Sequence, residues 1–201
     1  MQDIRDMEKM AAMEHDRRTG SDGKGYYIRT FTGKKLYWDA VEDHHYDIRD
    51  IAHALAMKCR WSGHTRRFYS VAQHSIFVSH FVPVELRLAG LMHDASEAYM
   101  PDFPSPLKWY LLDHGFTALK DIEKRVQEEI AHQFGFIAHS PIVKKADTLA
   151  LATEHRDLMP PGEEAPWMGE PDEAPLDPWG PQLAERSFIT RFEQITGQIV
   201  T

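Results

Sequence analysis

The run LMHDASEAYMPDFPSPLK (residues 91–108) sets His93 and Asp94 side by side in an apolar context, with Glu97 a few residues on. Burying such groups without partners costs several kcal/mol each. A divalent metal ion is the partner that these residue types imply. Two other stretches turn matching groups inward. In SVAQHSIFVSHF, the positions Val71, His74, Phe77, Val78 and Phe81 share one helical stripe, which buries His74. In SPIVKKADTLALATEHRDLM, Asp147 lies between Val143 and Ala150 on the inward face. Two imidazoles and two carboxylates make a mixed nitrogen and oxygen donor set, suited to Zn²⁺, Co²⁺, Mn²⁺, Fe²⁺ or Mg²⁺. On a regular helix His93 and Asp94 would project about 100° apart and grip an ion in the crevice beside them. A buried histidine taken alone is more often a hydrogen-bonded core residue, and the histidines outside this set and His64 read as surface or structural.

The elements that must position these groups are mostly helical. DIRDIAHALAMKCR places Ile48, Ile51, Ala52, Leu55 and Cys59 on one face, with Asp47 as N-cap. Ser70 and Gln73 have capping-box spacing at the start of the next helix. Pro83 suits the first turn of a helix expected to run on through ELRLAGLMHDASEAYM. TALKDIEKRVQEEIAHQFG is amphipathic through Leu119, Ile122, Val126 and Ile130, with Gly135 as its stop. Pro160-Pro161 ends the helix that carries Asp147. AERSFITRFEQI closes the chain with Ala184, Phe188, Phe192 and Ile195 inward. Upstream, YYIRTFTGKKLYW reads as a hairpin at 26–38 around Thr32-Gly33, and TGSDGKG breaks any earlier pattern. The expectation is an all-α domain of about six or seven helices with a small N-terminal β-hairpin. Its parts are an N-terminal extension (1–25), the main domain (26–159), a proline-rich loop (160–181) and a closing helix (182–201).

Bulk properties narrow the function. The 201 residues carry a net charge of −8 and are 42% hydrophobic, enough for a real core. An acidic balance argues against duplex nucleic acid as a partner. Cys59 is the single cysteine, so no internal disulfide forms. The charged N-terminus does not read as a signal peptide, and no apolar run reaches the roughly 20 residues of a spanning helix. A cytoplasmic protein with no membrane association is the expectation.

Three blocks in order, CRWSGHTRRFYSVAQHS, GLMHDASEAYMPDFPSPLK and VKKADTLALATE, resemble the HD-domain metal-dependent phosphohydrolases. The likeness covers about residues 26–159. It is to the bacterial and phage branch that contains 5′-deoxynucleotidases and viral dATP triphosphohydrolases. The resemblance implies His74, His93, Asp94 and Asp147 as ligands of one divalent metal ion. It also implies Glu97 as the group that activates or relays protons for the attacking water. Asp102 either positions that water or protonates the leaving oxygen, or it caps the FPSPLKWYLL helix. Arg60, Lys108 and Lys144 are candidate phosphate contacts or solvated charges, and Arg66 and Arg67 are weaker candidates. Trp61 is either a packing residue or, as the resemblance implies, the ring that crowds the sugar 2′ position and favours 2′-deoxynucleotides. His64 either assists at the phosphate or leaving group, or shapes its loop.

The expected reaction is hydrolysis at the α-phosphorus of a small deoxynucleotide. A dATP-preferring triphosphohydrolase is favoured over a dNMP nucleotidase, because FTGKK, GHTRR and ATEHRDLM have a phage-like character. A cyclic-nucleotide or (p)ppGpp hydrolase ranks lower, and a non-catalytic nucleotide-binding module lower still. Similar proteins form dimers or rings, so a homo-oligomer is expected.

Overall fold

Residues 2–19, 25–162 and 166–201 are described by the computed structural model, and most of them lie in eight α-helices and one two-stranded antiparallel sheet. The fold is thus mainly helical, as periodicity predicts. The break expected at 19–25 falls, at residues 20–24, outside the described residues, as do residues 163–165 of the proline-rich loop. The chain divides into two compact units, Met1–His45 and Tyr46–Thr201. None of the described helices is long and apolar enough to cross a membrane.

The first unit holds α1 (Gln2–Thr19) and the hairpin of β1 (Tyr27–Arg29) and β2 (Lys35–Tyr37). Met7, Met10 and Met13 of α1 are exposed. In the hairpin Ile28 faces Leu36, and the Tyr27 and Tyr37 rings pair across the strands at 5.5 Å. The turn closes at Gly33, whose φ of +85° suits glycine and whose N–H donates to Thr30 O at 3.0 Å.

In the second unit, α2 (Ile48–Met57) begins at Asp47, whose carboxylate accepts from Arg49 N–H at 3.0 Å. The helix buries Ile48, Ile51, Ala52 and Leu55 as expected. It ends before Cys59, which is exposed and bridges to Ser70 in extended backbone instead of continuing the buried face. Next, α3 (Val71–His80) is capped by Ser70, whose hydroxyl accepts from Gln73 N–H at 3.1 Å. The reciprocal half of a capping box is missing. The Gln73 side chain donates to Asp177 O and accepts from Trp179 N–H, both at 2.8 Å. Phe81 lies past the last turn of α3 and is 39% exposed, so the apolar stripe is shorter than its sequence suggests.

The expected continuous helix over 85–100 is broken. A 3₁₀ turn (Val84–Leu86) leads into α4 (Arg87–Leu91), a turn at 92–94 and a second 3₁₀ turn (Ala95–Ala98). Side chains take the backbone groups a helix would pair internally. The ring of His93 donates from Nδ1 to Gly90 O at 2.8 Å. Gln127 donates to Met92 O at 2.8 Å and accepts from Ser96 N–H at 3.0 Å. Lys58 donates to the carbonyls of Glu97 and Met100. His93 and Asp94 therefore sit on a turn, and their directions are set by this network, not by helical geometry. Gly90 allows α4 to approach α3: a Cβ there would lie 3.1 Å from Ser79 Cα.

The remaining helices are α5 (Ser105–Asp113), α6 (Ala118–Phe134), α7 (Pro141–Leu158) and α8 (Pro181–Thr196). Gly135 ends α6 in the left-handed region at φ +73°. The central helix is α3, packed against α2, α4, α7 and α8. Val78, Ala89, Val143, Ala146 and Ala150 form an apolar cluster where α3, α4 and α7 meet. Arg191 of α8 donates to the hydroxyl and carbonyl oxygens of Ser79 at 2.9 and 3.0 Å. By contrast, α5 buries none of its residues. The segment between α7 and α8 is an ordered strap over residues 166–180. Asp172 N–H donates to Thr153, Leu176 N–H donates to Asp157, and Arg156 donates to the carbonyls of Asp172 and Ala174.

Candidate metal centre and adjoining cavity

His74 arrives from the first turns of α3, His93 and Asp94 from the turn after α4, and Asp147 from α7. Their polar atoms converge. His74 Nε2 lies 3.2 Å from His93 Nε2, 3.2 Å from Asp147 Oδ1 and 3.6 Å from Asp94 Oδ2. His93 Nε2 lies 3.2 Å from Asp94 Oδ2 and 3.9 Å from Asp147 Oδ1. His74, His93 and Asp94 form a group able to hold a metal ion. Donors about 2.1 Å from a tetrahedral ion stand about 3.4 Å apart, close to the His74–His93, His93–Asp94 and His74–Asp94 spacings; Asp147 falls outside this group of three and lies nearest to His74.

The hydrogen bonds of the rings settle which nitrogens face the centre. Gly90 O can only accept, so His93 Nδ1 carries a hydrogen. His74 Nδ1 donates to the Glu154 carboxylate at 2.6 Å. In the neutral imidazoles both Nε2 lone pairs then point at each other and at two carboxylate oxygens, an arrangement that calls for a cation. The protein alone answers with protons. Burial and Arg60 oppose a charge on His74, but Glu154 and Asp147 prevail and lift it to about 9. Burial likewise opposes ionisation of Asp94 and Asp147, yet the imidazoles hold both well below the usual carboxylate range.

Glu154 is the functional residue that sequence reasoning missed. It is fully buried, and its two oxygens divide the work. Oε1 accepts from His74, while Oε2 accepts from Arg60 Nε at 3.3 Å, Arg60 Nη2 at 3.1 Å and Trp61 Nε1 at 3.0 Å. Arg60 Nη1 reaches to 3.8 Å from Asp94 Oδ2, so the guanidinium bridges two carboxylates. The backbone pays attention to this contact: Trp61 and Ser62 adopt φ of +55° and +50°, and Gly63 +79°. Left-handed backbone at a non-glycine residue costs roughly 1–2 kcal/mol, and it persists only where surroundings enforce it. The stretch ALATEHRDL, with Thr153, His155, Arg156 and Asp157 beside Glu154, gives no hint of its partners; only the i+7 spacing from Asp147 places it on the same side of α7.

Glu97 is buried, and its Oε2 has no hydrogen-bond partner among the described residues. Burial, reinforced by Asp94 and Asp102, pushes its carboxyl well above the ordinary range. Burial and Asp94 also raise Asp102, against Arg60 and Lys108. Asp102 is not a helix cap: Pro104 occupies the N-cap position of α5. His64 is exposed, and its side chain joins none of the cluster's hydrogen bonds. Arg66 donates to Asp157 O at 2.8 Å, and Arg67 pairs with Asp177 on the surface, which gives both a structural place.

A cavity of about 840 Å³ opens on the other side of the cluster. His93, Asp94 and Asp147 line it, together with Lys108, Lys144 and an apolar wall that includes Trp109 and Phe116. Lys108 pairs with Glu123 at 2.8 Å, and Lys144 with Asp147 at 2.7 Å. Arg60 and Trp61 do not line this cavity. The candidate phosphate contacts are therefore divided, with the two lysines in the cavity and the Arg-Trp pair bound to Glu154.

No protein-family model matches the chain. Over 134 residues it is 43% identical to the uncharacterized protein YfdR of Escherichia coli (strain K12), a match covering 66% of this chain and 72% of YfdR. Over 126 residues it is 33% identical to an uncharacterized protein of Rhodobacter capsulatus, covering 56% of this chain and 62% of that protein. By its identity to YfdR and the length shared with it, the chain belongs to the YfdR family.

Proposed function

We propose that this protein is a metal-dependent phosphohydrolase of 2′-deoxynucleotides, with a deoxynucleoside triphosphate, dATP by preference, as substrate. The observation that carries the reading is the convergence of two Nε2 atoms and two carboxylate oxygens at the floor of a lysine-bearing cavity. His74, His93, Asp94 and Asp147 would hold the ion. When bound, the ion supplies Lewis-acid polarisation of a phosphoryl oxygen.

The chain's own residues do the rest. Lys108 and Lys144 place positive charge along the cavity, where the phosphates of an anionic substrate lie. The apolar wall with Trp109 and Phe116 suits the uncharged end of the nucleotide. Glu97, buried with a free oxygen, takes a proton from the attacking water. Asp102, whose carboxyl burial raises, returns a proton to the departing 5′ oxygen in this reading, from a neighbouring pocket that it shares with Lys58 and Met100. Water adds at the α-phosphorus and the bond to the 5′ oxygen breaks, giving deoxynucleoside and triphosphate. Arg60 acts through Asp94, holding a ligand carboxylate in place.

The test is a product assay with Mn²⁺, Co²⁺ or Zn²⁺ over dATP, dAMP and ATP. Deoxyadenosine and intact triphosphate from dATP, with little turnover of ATP, is the expected result. Free phosphate from dAMP alone would make the protein a nucleotidase. Inactivity with every pair of substrate and metal would overturn the enzymatic reading.

A further inference from the structure

We propose that Glu154 is a positioning residue that couples the two halves of the site, fixing the ring proton of His74 with one oxygen and the Arg60–Gly63 loop with the other. The proposal rests on the metal-centre part of the reading above and not on the substrate. The carboxylate is fully buried and both oxygens are occupied, Oε1 by His74 Nδ1 and Oε2 by Arg60 and Trp61. These partners sit on different segments: α3 for the imidazole, and the loop after α2 for the others. No other described side chain hydrogen-bonds both; Asp94 meets them only as a longer ion pair, at 3.6 and 3.8 Å. The left-handed backbone at Trp61 and Ser62 directs the indole N–H at this carboxylate.

The chemistry of the group makes the claim specific. A carboxylate presents acceptors on both oxygens, whereas an amide presents an acceptor on one side and a donor on the other. In Glu154→Gln the amide oxygen stays with Arg60 and Trp61, which offer three N–H contacts and a positive charge. The amide NH₂ then faces His74 Nδ1. That nitrogen must become the acceptor, and its hydrogen moves to Nε2, the atom that points at His93 and Asp147. A protonated Nε2 cannot ligate a metal. The same substitution leaves all four ligand side chains in the sequence.

The experiment measures zinc affinity by chelator competition in the wild type and in Glu154→Gln and Glu154→Asp, with circular dichroism as the check on folding. Glu154→Gln should bind zinc about 10–100-fold more weakly. Glu154→Asp, which keeps the carboxylate, should recover part of that loss. Nuclear magnetic resonance of zinc-loaded wild type should place the His74 ring proton on Nδ1, strongly deshielded by its hydrogen bond, and this needs no variant to fold. A folded Glu154→Gln with wild-type zinc affinity, or a wild-type His74 Nδ1 proton without that deshielding, would overturn the proposal. A wild type that bound zinc and hydrolysed nothing would refute the enzymatic reading and leave this one standing. A wild type that bound no zinc would overturn both.

Discussion

Behind His74 the cluster is closed, and both oxygens of Glu154 are matched. Glu154, Arg60 and Trp61 form a hydrogen-bonded block, with Glu154 shut off from solvent altogether. In front of His93, Asp94 and Asp147 the protein is open. The cavity wall there includes α5, a helix that buries nothing, and lysines whose partners are themselves accessible. The difference teaches where rigidity and where access are built. A short, buried carboxylate fixes one imidazole against two segments, and truncating one partner of such a network leaves others unpaired at a cost of several kcal/mol. The lysine pairs at the mouth are partly exposed, Lys144 most of all, and such pairs contribute little to stability. They remain available to exchange a carboxylate for a phosphate.

This contrast breaks most sharply at the cluster itself. His93→Ala or Asp94→Ala should abolish both metal content and turnover, measured by elemental analysis and product assay on the same sample. A variant that kept a full equivalent of metal would remove that residue from the ligand set. Glu97→Gln should keep the metal and lose at least about 100-fold in kcat, since a positioned proton carrier contributes on that order. A metal-free Glu97→Gln would make Glu97 a ligand instead. On the open side, Lys108→Ala should raise KM for the nucleotide about tenfold while Tm barely moves, because the Lys108–Glu123 pair is a partly exposed one. A fall in kcat at unchanged KM would move Lys108 from binding to chemistry. Gly90→Ala tests the scaffold between the two sides: the added Cβ meets Ser79 backbone at 3.1 Å, and overpacking of this kind costs typically about 1–3 kcal/mol. Unchanged thermal stability would show that α4 can withdraw from α3 freely.

Much of this was legible from residue order, and the exceptions share a cause. Periodicity placed α2, α3, α6, α7 and α8 and turned His74 and Asp147 inward, because each helix buries a broad apolar stripe. The Ser70 and Asp47 caps and the Gly135 stop were readable because each satisfies a local backbone group. The break after Leu91 was not readable. It depends on Gln127 and Lys58, each about 30 residues or more away in sequence, capturing backbone groups of the turn. Glu154 was hidden for the same reason: its partners lie 80 and 93–94 residues upstream, and a lone acid in a helix ordinarily faces solvent. Arg60 and Trp61 are legible as candidates from their place beside the motif, but their attachment to Glu154 requires the fold.

The central claim is that one divalent cation is held between His74, His93, Asp94 and Asp147. Anomalous scattering from crystals grown with Co²⁺ tests it most directly. A single strong peak within bonding distance of both Nε2 atoms and of an oxygen from each aspartate is the expected result. A peak elsewhere, or none between these side chains at saturating cobalt, would contradict it.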